Sequence, residues 1–142
     1  MNFMKFAIEE AKKSDNDIPV GAVVVYNGEI IASAHNEREK LNDISAHAEI
    51  LALKKASKVL NNWRLDDCEI YVTLEPCPMC GWAILQSRVK SVYFGSYDMN
   101  YGSFTSKIDL RTLSSNKINI YGGIEEQECD KLLKIFFKNI RG

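Results

Sequence analysis

Residues Cys68–Ser87 read "CEIYVTLEPCPMCGWAILQS", and this stretch decides the fold. Its first seven residues, "CEIYVTL" at Cys68–Leu74, are rich in β-branched and aromatic side chains and predict a strand. Pro76 and Pro78 flank Cys77, and a helix is predicted from about Pro78 to Ser87. Proline suits a helix start, where N–H groups lack partners anyway. Cys77 and Cys80 stand three residues apart at that start and share one helical face. The positive end of the helix dipole lowers thiol pKa there and favours thiolates, the form that binds a metal. The pair alone leaves three readings open: a redox couple, part of a metal site, or two thiols packed in a core.

Working outward, strands and helices alternate around this unit. Met4, Ala7, Ile8 and Ala11 follow helical spacing and predict an opening amphipathic helix, ended by "SDNDIP". Val20–Tyr26 reads as a strand, Asn27-Gly28 as a type I′ turn, and Glu29–Ala34 as the returning strand. From about His47 to Leu60, Ala48, Leu51, Ala52, Ala56 and Val59 fit a second helix. "VKSVYFG" from Val89 predicts another strand, followed by the polar loop "SYDMNYGSFTS". Ile118–Tyr121 predicts a last short strand. A closing helix sets Cys129, Leu132, Leu133, Phe136 and Ile140 along one face. This order predicts one α/β domain over residues 1–142: a three-layer α/β/α arrangement on a mixed five-stranded sheet.

Composition narrows the function classes. The chain has 142 residues, 46% hydrophobic and 26% charged, enough for a real core. No apolar run approaches the ~20 residues of a membrane helix, and the N-terminus carries no signal-peptide pattern, so the expected location is cytoplasmic. A net charge of −1 gives no global attraction to nucleic acid. Four cysteines in such a chain do not suggest a disulfide framework.

A metal site needs at least three protein ligands, so the cysteine pair requires a partner. The chain has two histidines, His35 and His47. His47 lies in "SAHAEILAL", at the start of the second predicted helix, with Glu49 two residues on. Residues two apart diverge in a helix interior, but in the first turn both reach a group above the helix end. Cys68 and Cys129 read as core residues and His35 as a packing residue. His47, Cys77 and Cys80 then make three ligands with an open fourth place, the pattern of a catalytic zinc. Water on such a metal ionises near neutral pH, and Glu49 stands ready to take a proton from it.

"H-A-E" followed by "P-C-x-x-C" is the signature of the zinc nucleoside deaminases. The resemblance extends over nearly the whole chain, through "IPVGAVVV", "AHNEREK", "SAHAEILAL", "NWRLDDCEIYVTLEPCPMC", "SRVKSVYFG" and "ECDKLLKIFFK". In these stretches the chain resembles the bacterial tRNA-specific adenosine deaminases. That resemblance implies a cytidine-deaminase-like fold, zinc ligation by His47, Cys77 and Cys80, and a proton-shuttle role for Glu49. It implies contacts to the target nucleoside from Asn36 and the backbone N–H of Ala48. It sets Asp98 in a loop beside the RNA and Phe137 near the substrate on the closing helix. It also implies a homodimer, a tRNA anticodon loop as partner, and conversion of adenosine to inosine at the wobble position. Arg38, Lys40, Lys138 and Arg141 are candidates for phosphate contacts. Trp82 stands where relatives commonly carry a small residue, and Tyr97 and Asn100 where they often carry basic ones. Two other readings compete: a deaminase of a free base or nucleoside, and a non-catalytic zinc-stabilised interaction module.

Overall fold

A computed structural model describes residues 2–141. In chain order the elements are α1 (Phe3–Ala11), β1 (Gly21–Tyr26), β2 (Glu29–His35), α2 (Arg38–Leu41), α3 (Ala48–Leu60), β3 (Cys68–Leu74), α4 (Pro78–Ser87), β4 (Ser91–Ser96), β5 (Asn119–Tyr121) and α5 (Glu126–Arg141). Short 3₁₀ turns occupy Lys12–Ser14 and Leu110–Leu113. The five strands form one sheet in the order β2-β1-β3-β4-β5. β1 pairs antiparallel with both β2 and β3, while β3, β4 and β5 run parallel. The expected mixed five-stranded sheet is therefore present.

The three layers follow from the alternation along β1. Ala22 and Val24 face one core with α3 and α4, where they meet Ala52, Ala56, Ile84 and Leu85. Val23 and Val25 face the other, with Met4, Ala7 and Ile8 of α1 and Cys129 of α5. A strand covered on both faces needs an unbroken apolar run, and "GAVVV" supplies it. Asn27 and Gly28 both take positive φ, 50° and 77°, as a type I′ turn requires.

Several details differ from the sequence expectation. Val20 precedes β1, and β5 starts one residue later than expected, at Asn119. α2 was not foreseen: it is one turn, held at its start by the buried Asp17, whose carboxylate accepts the N–H of Glu39 at 2.6 Å and of Lys40 at 3.2 Å. Ile140, expected on the buried face of the closing helix, is 66% exposed. Among the described residues, no helix is long and apolar enough to cross a membrane.

α1 crosses the sheet at Gly21 with its backbone in direct contact. A Cβ at Gly21 would lie 1.9 Å from the Ala7 carbonyl oxygen and 2.5 Å from the Ala11 nitrogen. Backbone cannot move aside as a flexible side chain can. Gly21→Ala is expected to lower the unfolding free energy by about 1–3 kcal/mol, the usual penalty of overpacking. Urea denaturation of the two proteins measures it; equal midpoints would contradict the close crossing.

Candidate active site

Strand direction brings the site together. β2 and β3 are each antiparallel to β1, so they run parallel to one another and end at the same edge of the sheet. β4 ends there too. The chain leaves β2 through α2 into α3, and leaves β3 directly into α4. Both helix N-termini therefore rise at one edge. His47 is the N-cap of α3 and Cys77 the N-cap of α4, each with extended backbone. Cys80 follows in the first turn of α4.

His47 Nδ1 lies 3.7 Å from Cys77 Sγ and 3.3 Å from Cys80 Sγ. The three donor atoms all fall within 4.8 Å of one another. A tetrahedral zinc with Zn–S of about 2.3 Å and Zn–N of about 2.0 Å separates nitrogen from sulfur by about 3.6 Å. The observed spacings fit that ion, and two sulfurs with one imidazole suit its borderline-soft character. Among the described residues this is the one His/Cys/acid group so arranged.

The electrostatics are those of a ligand set. A hydrogen bond from the Cys80 thiol, aided by His47, holds Cys77 well below a free thiol, at about 4. The same bond, with burial and the nearby Glu49 charge, pushes Cys80 up. The bond to Cys77 raises His47 against the effect of burial. Glu49, in the first turn of α3, is 4% exposed. Burial lifts its carboxyl to about 7, although its own backbone N–H and His47 pull it down.

His47, Glu49 and Cys77 line a pocket of about 180 Å³, with the fully buried Cys80 outside its lining. That volume is small beside the ~300–1,000 Å³ of pockets enclosing drug-sized ligands, and it suits a single base. Ile18, Val20, Asn36 and Arg38 line it on the β2 side, and Leu74, Glu75, Asp98 and Tyr101 on the side of β3 and β4. Asn36 is buried and held by backbone: its Nδ2 donates to the Ile18 carbonyl at 3.1 Å, and its Oδ1 accepts the Arg38 N–H at 3.1 Å. These two bonds leave one N–H of that amide and one lone pair of its oxygen unused. Ala48, fully buried, also lines the pocket as the first residue of α3.

Of the four substrate contacts expected from sequence, Asn36, Ala48 and Asp98 line the pocket and Phe137 does not; Lys40 and Lys138 also lie outside the lining. Phe137 stands on α5, 42% exposed and edge-on to Phe136. The Arg141 side chain falls outside the described residues. Cys68 and Cys129 are core thiols, as expected. His35 lies between Glu10 and Glu37, at 3.9 and 3.6 Å, away from the cluster. Trp82 is half exposed on α4 and does not line the pocket.

Sequence reasoning missed Glu75. It sits two residues before Cys77, is almost fully buried, and accepts five hydrogen bonds from the loop after β4. Its Oε1 takes the Asp98 N–H at 3.2 Å and the Ser106 hydroxyl. Its Oε2 takes the N–H groups of Phe104, Thr105 and Ser106 at 3.3, 2.8 and 3.0 Å. Burial alone would push this carboxyl up, but the bonds from Ser106, Thr105 and Asp98 outweigh it and hold it below the usual range. Ser103 ties the same loop to the metal helix, its hydroxyl donating to the carbonyls of Pro76 at 2.7 Å and Cys77 at 3.1 Å. The only sequence signal was a charged residue amid apolar strand and proline.

Comparison with known proteins agrees with this geometry. The MafB19-like deaminase family matches residues 1–141. A tRNA-specific adenosine deaminase of Bacillus subtilis (strain 168) is 45% identical over 98% of this chain and 89% of its own length. One from Aquifex aeolicus (strain VF5) is 44% identical over 98% and 94%. A solved structure from work on A-to-I editing by tRNA:A34 deaminases at the wobble position superposes with a TM-score of 0.90. It is 36% identical and covers 92% of this chain and 98% of its own. With the ligand cluster, the buried glutamate and the cytidine-deaminase-like fold in place, the chain belongs to the MafB19-like deaminase family and, among its relatives, to the tRNA-specific adenosine deaminases.

Proposed function

We propose that this protein is a zinc-dependent hydrolase that converts adenosine to inosine at the wobble position of a tRNA anticodon, in the cytoplasm. The observation that carries the reading is Glu49: a carboxylate buried beside a three-donor cluster, in the lining of a base-sized pocket. The tRNA specificity rests on the similarity to the named tRNA-specific adenosine deaminases.

His47 Nδ1, Cys77 Sγ and Cys80 Sγ would hold a zinc ion, which would supply a Lewis acid and an activated water at neutral pH. The protein moves the protons. A Glu49 oxygen accepts one from the attacking water and passes it to N1 of the purine. A second proton travels by the same oxygen from the new C6 hydroxyl to the amino group. The C6–N bond then breaks, ammonia leaves, and C6 keeps the oxygen as a carbonyl. A carboxyl group near 7 accepts and returns protons equally readily at neutral pH. The unused amide groups of Asn36 and the N–H of Ala48 hold the nucleoside. Asp98 borders the strand on the β4 side, and Phe137 serves nucleotides flanking the target. A base in a single-stranded loop swings into the pocket at little cost.

A second copy of the chain is the proposed partner. α3 and α4 flank an open groove of about 700 Å³, lined by Ile50, Leu53, Trp63 and Ala83 among others. Trp63 is 62% exposed there, with Val59 and Trp82 also uncovered. Large aromatic side chains left in water on one face mark an interface.

Three outcomes are expected. Glu49→Ala keeps zinc and fold but loses at least about 10²-fold in inosine formation on an anticodon stem-loop. Near-normal turnover would remove Glu49 from the proton path, and a wild-type preference for free bases in parallel assays would favour the free-base reading. Zinc affinity rises with pH. Cys80 and His47 are raised, so their protons are bound before zinc and released with it, and each displaced proton contributes up to about tenfold per pH unit. Competition with a chromophoric chelator between pH 6 and 8 reads this slope, and Cys77→Ala should abolish tight binding; a flat slope contradicts the ligand set. Trp63→Glu shifts the protein from dimer to monomer in sedimentation velocity, and an unchanged dimer would place the interface elsewhere.

A further inference from the structure

We propose that Glu75 is a positioning residue: its buried carboxylate fixes the loop between Tyr97 and Ser106 that walls the substrate pocket, and so sets how tightly substrate is held. The inference rests on the deaminase reading of the pocket. It concerns a residue outside the zinc ligands and the proton path.

The loop after β4 has no strand or helix before Leu110. Its few backbone bonds to itself include Gly102 N–H to the Asp98 carbonyl at 2.8 Å and Leu110 N–H to the Ser103 carbonyl at 2.8 Å. Four further amides turn inward onto Glu75. Successive N–H groups converging on one anion form a nest, and here the anion is supplied by the protein. Five donors crowd onto two oxygens, three of them sharing Oε2; an ionised carboxylate, with about four acceptor sites and no donor, suits them where a protonated one would set its own O–H against them. The loop then presents Asp98 and Tyr101 to the pocket. Asp98 is fixed twice, its N–H donating to Glu75 and its Oδ1 accepting the amides of Asn100 and Tyr101 at 3.1 Å.

Gly102 completes the clamp. A Cβ there would meet the Glu75 carboxylate carbon and oxygens at 2.4–2.5 Å. Substitution at either position disturbs the same contact from opposite sides. In Glu75→Gln the shape is kept but one oxygen becomes an NH2 group. Whichever way the amide turns, it faces N–H donors: the Asp98 end or the 104–106 end must let go.

The test uses the full chain loaded with zinc. Glu75→Gln and Gly102→Ala should each bind zinc as the wild type does. Each should raise KM for an anticodon stem-loop about tenfold while kcat stays within about twofold, the signature of lost ground-state binding. The double variant should be no worse than the poorer single one, because both act on one contact. Amide hydrogen exchange should accelerate in Glu75→Gln at one of the two ends, at Asp98 or at Phe104, Thr105 and Ser106. Unchanged KM in both single variants, a loss confined to kcat, or exchange as slow as in the wild type would overturn the proposal. Should Glu75→Gln fold poorly, Gly102→Ala carries the same KM and exchange measurements. Absence of inosine formation by the wild type would count against the proposed function instead, and exchange would still decide whether Glu75 holds the loop.

Discussion

A carboxyl group at 4% exposure beside two thiols and an imidazole is the constraint on which the rest of the structure depends. Isolated charges at such a depth cost several kcal/mol each unless something compensates them. Two helix N-termini supply that compensation here, pointing unpaired N–H groups at the same few ångströms of space. Helix ends can meet only if the strands feeding them end at one edge. The antiparallel hairpin β1–β2 makes this possible, because it turns β2 to run with β3. The hairpin is thus as much a part of the site as the cysteines, though no side chain of its turn comes near the pocket.

The same edge holds a second buried glutamate with the opposite character. Glu49 gains little hydrogen bonding and is raised to about 7 by burial. Glu75 is about equally hidden but collects five donors, and is lowered. Burial thus pushes one carboxyl up, while the other collects its donors as the hub of the loop and is pulled down. The segment from Leu74 to Cys80, with its two prolines, carries both the hub and the two cysteines of the His47 cluster, so loop and cluster share one short piece of backbone. Ser103 reinforces the link from the loop side.

On the far side of the sheet the demands are simpler. α1 lies so close to β1 that Gly21 has no room for a Cβ. Phe3, Tyr71, Tyr93 and Tyr121 form a file of rings across β3, β4 and β5, with neighbouring centroids 4.4–5.4 Å apart. This layer contributes no pocket residue. It buries the second face of the sheet against α1 and α5.

By itself the sequence determined the elements and singled out His47, Cys77 and Cys80, which the fold brings together. Alternating apolar residues, "NG", prolines before a helical run and the "HAE" and "PCPMC" segments are local signals, readable because strand pleat, turn and helix start each depend on nearby residues. They also pointed to Glu49, since its place in the first turn two residues after His47 is local too. The tertiary structure alone decided what converges from far apart. Glu75 looked like an incidental charge because its five donors lie 23 to 31 residues downstream. Asp17 looked like a loop residue because the amides it caps are 22 and 23 positions away. Ile140 fits a helical face on paper but is left exposed, and Phe137, which the resemblance set near the substrate, lies outside the pocket lining. Hydrogen bonds and burial of this kind are set by how layers pack, and no window along the chain contains both partners.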